Sequence, residues 1–241
     1  LRFKDDEFPG EVQMIAFNPY IPLNDVDSSI PAAFFEISVK NTVKTSINYT
    51  VSLSLQNPLP KGSTVNSHGR KGKIHFIKLS SSKLSTDEPE FGDLTIATDS
   101  KDVSYQEYWF RGQWFDNLGV YWRELTSPGK FRNRHYHDSA ANIQDLCLLA
   151  AHFHVRPGEI GSARFIISWS FPNCYNYWKP EENDQKECCC LPKKMKTWKN
   201  YYATLFEDST KSAIFGLEDW ERLYGETVRF KNALFLSLIH I

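Results

Sequence analysis

Between Ile47 and Gln56 the chain alternates, with Tyr49, Val51, Leu53 and Leu55 set against Asn48, Thr50, Ser52 and Ser54. A period of two places one set on a buried face and the other in water, the pattern of a half-buried strand. Ala33 to Lys40 reads the same way, with Phe35, Ile37 and Val39 opposed by Glu36, Ser38 and Lys40. The polar turn that begins at Asn41-Thr42 predicts an antiparallel hairpin between these two strands, closed by a loop of about five residues.

Farther along, Leu146 to Val155 and Ala163 to Phe171 repeat the alternation, and the second aligns Ala163, Phe165, Ile167, Trp169 and Phe171. Arg156-Pro157-Gly158-Glu159 supplies turn chemistry between them. Shorter strands are expected over Val12 to Phe17, Lys73 to Leu79 and Leu94 to Thr98. About seven strands with turn signals between them predict a mainly β protein built as an antiparallel β-sandwich. The polar stretches Asn57 to Arg70 and Ser80 to Pro89 read as loops or inserts.

After Trp198 the period changes. Asp208 and Ser209 are N-cap residues in type, and Ala213, Leu217, Trp220, Tyr224 and Val228 recur at intervals of three and four. One amphipathic helix is expected from there to about Lys231, although Gly216 and Gly225 each cost it about 1 kcal/mol relative to alanine. The packing of its Trp220 face must offset that cost. A sandwich over residues 1–196 and a helical linker over 197–241 follow as the expected organisation.

Composition narrows the function classes. Twenty-eight basic and twenty-nine acidic residues leave a formal charge of -1, too weak a field to gather a polyanion, so no nucleic-acid partner is expected. No run approaches the roughly 18 apolar residues of a membrane-spanning helix, so no transmembrane segment is expected. The opening LRFKDDEFPG lacks the apolar stretch of a secretory leader, but it starts on Leu1, and the true start is expected to lie upstream. Five cysteines, three of them adjacent at Cys188, Cys189 and Cys190, suit a secreted disulfide framework poorly and favour a reducing cytoplasm.

Candidate chemistry is sparse. Neither a nucleophile elbow nor a phosphate cradle, zinc-protease or dinucleotide signature occurs, and no cofactor is expected. His152 and His154 share a strand face, and Cys174 could join the cysteine triplet around a soft metal, but no complete ligand set can be placed and no metal is expected. His135-Tyr136-His137-Asp138 pairs a base type with an orienting acid type, though a loop of this composition with Arg132 and Arg134 reads first as solvated. Glu36 sits mid-strand between apolar neighbours, and Asp25 and Asp27 read as turn-forming side chains, so no catalytic carboxylate pair stands out.

The richest aromatic block is Tyr108-Trp109-Phe110, Trp114-Phe115 and Tyr121-Trp122. Flat aromatic side chains stack on pyranose rings, which makes Trp109, Trp114 and Trp122 candidate carbohydrate-facing residues. A connection that folds its aromatics into a satellite core explains the same block and is the preferred reading.

Three segments carry a resemblance. AFNPYIPLNDVDSSIPAAFFEISVKNT, Ala16 to Thr42, resembles the opening signature of family 116 glycoside hydrolases, whose members include bacterial β-glucosidases and the non-lysosomal glucosylceramidase. SWSFPNCYNYW with TWKNYYATLFEDS, and then LEDWERLYGETVRFKNALF, resemble later blocks of that family and keep its order. Residues 61–134 resemble it only loosely, and the Cys188 to Cys190 insert departs from its pattern. The resemblance implies a β-sandwich followed by an (α/α)6 barrel, hydrolysing β-linked glucosides or related sugars with retention.

The nucleophile and acid/base would both lie in the barrel. The chain would then stop near the barrel's entry, close to Phe235, and sequence past Ile241 should show helical periodicity. No catalytic residue is therefore expected here. The expected partner is the carboxy-terminal catalytic domain, docked on an apolar face that includes Leu217, Trp220 and Tyr224.

Overall fold

The computed structural model describes residues 1–60, 62–112, 116–136, 145–175 and 197–238. The strands are β1 (Arg2–Phe3), β2 (Gly10–Phe17), β3 (Ala32–Asn41), β4 (Ile47–Gln56), β5 (Thr64–Lys71), β6 (Ile74–Ser81), β7 (Asp93–Thr98), β8 (Val103–Gln106), β9 (Leu146–Val155), β10 (Ile160–Ser170), β11 (Asn173–Tyr175) and β12 (Thr197–Lys199). The helices are α1 (Asp25–Ser28), α2 (Asp116–Thr126), α3 (Tyr202–Leu205), α4 (Ser209–Glu218) and α5 (Trp220–Leu238). A seven-stranded sheet in the order β1-β2-β3-β10-β7-β6-β5 faces a three-stranded sheet β4-β9-β8, and every pairing between these strands is antiparallel. Strands β11 and β12 form a separate pair.

The sandwich core lies between the two sheets, where Ile77, Leu79, Ile96 and Phe165 meet Cys147, Leu149 and Ala151. A second core lies on the outer face of the large sheet. There Phe34, Ile74, Ala97 and Ile166 meet Ala213, Leu217, Trp220 and Leu223 of the helices. Alternation explains how β3 serves both cores, since Phe34 points to the helices while Phe35 and Ile37 point to the small sheet.

The expected β3–β4 hairpin does not form. β3 pairs with β2 and β10, whereas β4 pairs with β9 over its whole length, so residues 42–46 cross from one sheet to the other. The Arg156 to Glu159 turn makes the return crossing from β9 to β10. Fully buried Asn41 ties the two crossings together. Its side-chain amide donates to Thr45 O at 2.8 Å and Val155 O at 3.0 Å, its Oδ1 accepts from Val43 N at 3.0 Å, and its main chain bonds Gly158 N and Glu159 O. A turn between strands and a crossing between sheets need the same residue types, which is why the spacing suggested the wrong one.

Residues 57–70 are not all loop, because Thr64–Lys71 is the edge strand β5. It closes on β6 through Gly72, whose φ of +59° suits the tight turn between Lys71 and Ile74. The expected single helix is two: α4 ends at Glu218, with Asp219 as its C-cap, and α5 starts at Trp220. Asp208 caps α4 by accepting from Lys211 N at 2.9 Å. The start of α4 sits on the sheet through small polar groups, with Thr95 Oγ1 at 2.7 Å from Ser209 Oγ and 3.1 Å from Thr210 Oγ1.

Those helices also correct the expected docking face. Leu217 is 4% and Trp220 2% exposed, and Tyr224 packs against the same cluster, so the face covers this domain's own sheet. Gly216 permits that contact, since an added Cβ would lie 2.8 Å from both Phe34 Cζ and Ile166 Cδ1, neither of which is exposed at all. Gly216→Ala is therefore expected to destabilise by about 1–2 kcal/mol in chemical denaturation, its overpacking outweighing the helix-propensity gain of about 1 kcal/mol. A stabilised variant would show that the helix can lift off the sheet without cost.

Candidate functional site

The aromatic block lies in the connection from β8 to β9, and it folds against two places at once. On one side, Trp109 stacks on Tyr121 of α2 with centroids 3.9 Å apart and planes at 11°. Both rest on Phe131 of the same connection and on Leu148 and Ala150 of the outer face of the small sheet. This is the satellite core that the sequence favoured. The stack covers one face of Trp109, and its buried Nε1–H has no acceptor among the described residues.

Trp122 follows Tyr121 on α2 and points elsewhere. With Leu118 and Leu125 it forms a stripe at i, i+4 and i+7 whose members are 61%, 59% and 39% exposed. Trp109 and Trp122 therefore do not share a platform, and Trp114 lies outside the described residues, as do His137, Asp138 and the cysteine triplet.

On its other side the connection seals the edge of β5. Asn66 N donates to Tyr108 Oη at 2.8 Å, Asn66 Nδ2 to Glu107 O at 2.8 Å, and His68 N to Glu107 Oε1 at 2.8 Å. These bonds satisfy an edge that would otherwise invite another chain. The second Glu107 oxygen lies 3.1 Å from His135 Nδ1. Arg111 lies 3.9 Å above the Tyr108 ring and 3.1 Å from Asp145, whose second oxygen accepts from Thr64 Oγ1. Glu124 accepts from Gln106 Nε2 at 2.6 Å and Arg134 Nη2 at 2.8 Å.

Glu107, Glu124 and Asp145 are thus engaged in clamps that fasten the connection to both sheets. The remaining candidates are also tied down. His152 bonds Thr50 Oγ1 at 2.8 Å and Ser104 Oγ at 2.7 Å, and His154 bonds Asn48 Oδ1 at 2.8 Å. Glu36 pairs with Arg164 at 2.8 Å. Among the described residues no cluster of three or more His, Cys, Asp or Glu is placed to hold a metal ion.

His68 is the most perturbed base of the corner. It stacks on Tyr105 with centroids 3.6 Å apart and lies 3.3 Å from His75 Nδ1. Burial, reinforced by His75, lowers its pKa to about 4, against a partial opposing pull from Glu107. A depressed histidine contributes stability that is complete above its ordinary value of 6.5 and lost as pH falls through about 4. After discounting for partial exposure, about 1–2 kcal/mol is expected to disappear over that window. The check is the difference in urea stability between the native chain and His68→Gln, which should shrink from pH 7 to pH 4; a constant difference would place the acid sensitivity elsewhere.

The sequence did not single out Arg111, Glu107 or Asp145, because each acts through a partner remote in the chain. The polar residues Asn66 and His68, set in what read as a loop, were the available sign that a strand edge needed covering.

The sequence model of a family described as beta-glucosidase 2, glycosyl-hydrolase family 116 N-term matches residues 1–222. No curated protein matches the chain. Among solved structures, one provisionally named a kojibiose phosphorylase from the human microbiome aligns at 9% identity and a TM-score of 0.39, over 96% of this chain and 22% of that one. No helix among the described residues is long and apolar enough to cross a membrane.

Proposed function

Since the chain belongs to the family of amino-terminal domains of family 116 glycoside hydrolases, we propose that it is the non-catalytic β-sandwich of a retaining β-glycosidase of the β-glucosidase or glucosylceramidase kind. It supports an active site formed by a carboxy-terminal (α/α)6 barrel that hydrolyses a β-linked glucoside or related glycan. The observation that carries this reading is the change of character along α5. Its first turns are buried on the sheet, whereas the later turn exposes Leu234, Phe235 and Leu236 by 46%, 58% and 64%. An apolar helix end standing clear of its own domain suits a neighbour that covers it, and this segment takes the docking role first expected of Leu217, Trp220 and Tyr224.

The test is turnover of an aryl β-glucoside. The purified 241-residue chain should show none, and hydrolysis by it alone would overturn the division of labour. In the full-length enzyme, Phe235→Asp should impair activity while leaving the sandwich's own unfolding unchanged. The cytoplasm is the proposed location, supported by the free thiols of Cys147 and Cys174.

A second reading rests on the exposed stripe of Leu118, Trp122 and Leu125. In it, α2 presents Trp122 to a glycan and the domain is a freestanding binding module. Saturable glycan binding by the chain, abolished by Trp122→Ala, would favour this reading over the first.

A further inference from the structure

Tyr105 lies in β8 and Glu107 just past its end, two residues apart, so the two side chains leave the backbone on one face. The returning connection runs beside them. Arg134 N donates to Tyr105 O at 3.2 Å, Glu107 N to Arg134 O at 3.1 Å, and Tyr105 N to Asn133 Oδ1 at 2.9 Å. These bonds fix the main chain on which His135 stands, and the His135 ring meets both side chains.

His135 Nδ1 lies 3.1 Å from Glu107 Oε2, and its Nε2 lies 3.1 Å from Tyr105 Oη. A carboxylate only accepts hydrogen bonds, so the neutral ring carries its hydrogen on Nδ1 and presents the Nε2 lone pair to the phenol, which donates. A hydroxyl, a base and an acid that orients the base thus stand in the order by which a hydroxyl nucleophile is activated. The acid is itself held, because its other oxygen accepts from His68 N at 2.8 Å. The phenol is held too, stacked on His68 with planes at 9°.

The arrangement is reachable and needs its base. The His135 side chain is 50% exposed and Tyr105 partly so, which opens the hydroxyl to a molecule arriving from solvent. Burial, with Glu107 adding to it, pushes the Tyr105 phenol above its ordinary 10. At neutral pH its nucleophile therefore arises by passing the proton to His135. From the sequence, Asp138 was the acid set beside this histidine; the structure puts Glu107 on Nδ1, and Asp138 lies outside the described residues.

We propose that Tyr105 is a covalent acceptor site for acyl groups, with His135 as its general base and Glu107 as the residue that positions the base. The donor is an activated aryl ester whose leaving phenol is more acidic than tyrosine, so that transfer runs downhill. Tyr105 Oη attacks the ester carbonyl carbon while its proton passes to His135 Nε2. The bond from that carbon to the leaving oxygen breaks, and the proton departs with the released phenol. An acyl-tyrosine ester remains. The step involves no residue of a carbohydrate site and is independent of what the protein hydrolyses.

The first probe is phenylmethanesulfonyl fluoride, which reacts by the same course at sulfur, loses fluoride and leaves a sulfonate ester that accumulates. In the full-length protein at neutral pH, peptide mapping should show Tyr105 labelled about 100-fold faster than Tyr20, the scale of a positioned general base, although Tyr20 is 57% exposed. His135→Gln should bring Tyr105 down to the Tyr20 rate with little change in thermal midpoint, since the ring is half-exposed. Glu107→Gln keeps an oxygen for His68 N and turns its amino group to Nδ1, which moves the ring's hydrogen to Nε2. Labelling should fall by a like factor, and the ¹⁵N shifts of His135 should report the change of tautomer. The second probe is p-nitrophenyl acetate, from which the native protein should release nitrophenol faster than Tyr105→Phe does.

Tyr105 labelled no faster than Tyr20 in the native protein would overturn the proposal without recourse to any variant. Undiminished labelling in His135→Gln or Glu107→Gln would remove the base or its positioning, and equal nitrophenol release by native and Tyr105→Phe proteins would remove the acyl acceptor. Glucoside hydrolysis enters none of these readouts, so failure of the glycosidase reading would not resemble failure of this one.

Discussion

Trp220→Ala is expected to lower the unfolding free energy by about 3–5 kcal/mol, the range for removing a buried tryptophan from a packed core. The indole is 2% exposed. It meets Phe17 edge-on at 5.3 Å, Phe34 at 5.2 Å, and the Arg164 guanidinium at 5.0 Å from its ring. Aromatic pairs add about 0.5–1.5 kcal/mol beyond burial, so several contacts go at once. For a domain of this size, about 2–4 °C of midpoint per kcal/mol implies a fall of roughly 6–20 °C, readable by calorimetry. Phe235→Ala, a change on the exposed end of the same helix, should move the midpoint by less than about 2 °C. Equal shifts for the two would show that Trp220 does not hold the helices on the sheet.

The second large effect is electrostatic. Asp27 is 4% exposed, and its carboxylate receives Arg222 Nη1 at 2.6 Å and Nη2 at 3.0 Å across 195 positions of sequence. Arg222 also holds Asp219, the residue where α4 gives way to α5. Arg222→Met leaves the Asp27 charge with Asn24 as its main remaining donor, and a broken buried pair costs about 3–5 kcal/mol. Because the guanidinium side is 44% exposed, about 2–3 kcal/mol is the better expectation.

The sign of the pH dependence is fixed. Hydrogen bonds from Arg222 hold the Asp27 pKa below its ordinary 3.8, with burial opposing. Such a group contributes stability above its ordinary pKa and loses it as pH falls through the folded value. The gap between native and Arg222→Met proteins should therefore be widest near neutrality and close on acidification. A gap that widens in acid would mean that Asp27 is not the partner that matters.

These two residues show what periodicity could and could not tell. The spacing of Leu217, Trp220 and Tyr224 identified an apolar helix face, Ile47–Gln56 was legible to the residue because its alternation of apolar and polar side chains is strict, and Leu146–Val155 was legible as an apolar run of strand length although both of its faces are buried. Which surface covers a face is a tertiary fact, and the sheet under Trp220 is built from strands scattered over more than a hundred residues. Asp27 read as turn chemistry because its local role, beside the N-cap Asn24, is that of a turn; its partner lies at the far end of the chain. β5 escaped because its residues are polar on an edge whose main-chain needs are met by Tyr108 and Glu107, and α2 because its exposed stripe faces water. At the aromatic corner the satellite core was legible and the clamps around it were not.

The double crossing between sheets also sets a timetable for synthesis. β3 pairs along one side with β10, so that Glu36 meets Arg164 128 positions later. At about 5–20 residues per second, a ribosome needs roughly 6–26 s to make that partner. For that interval the strand carrying Phe34, Phe35 and Ile37 waits with one edge open, and on the nascent chain this is the segment most in need of a chaperone.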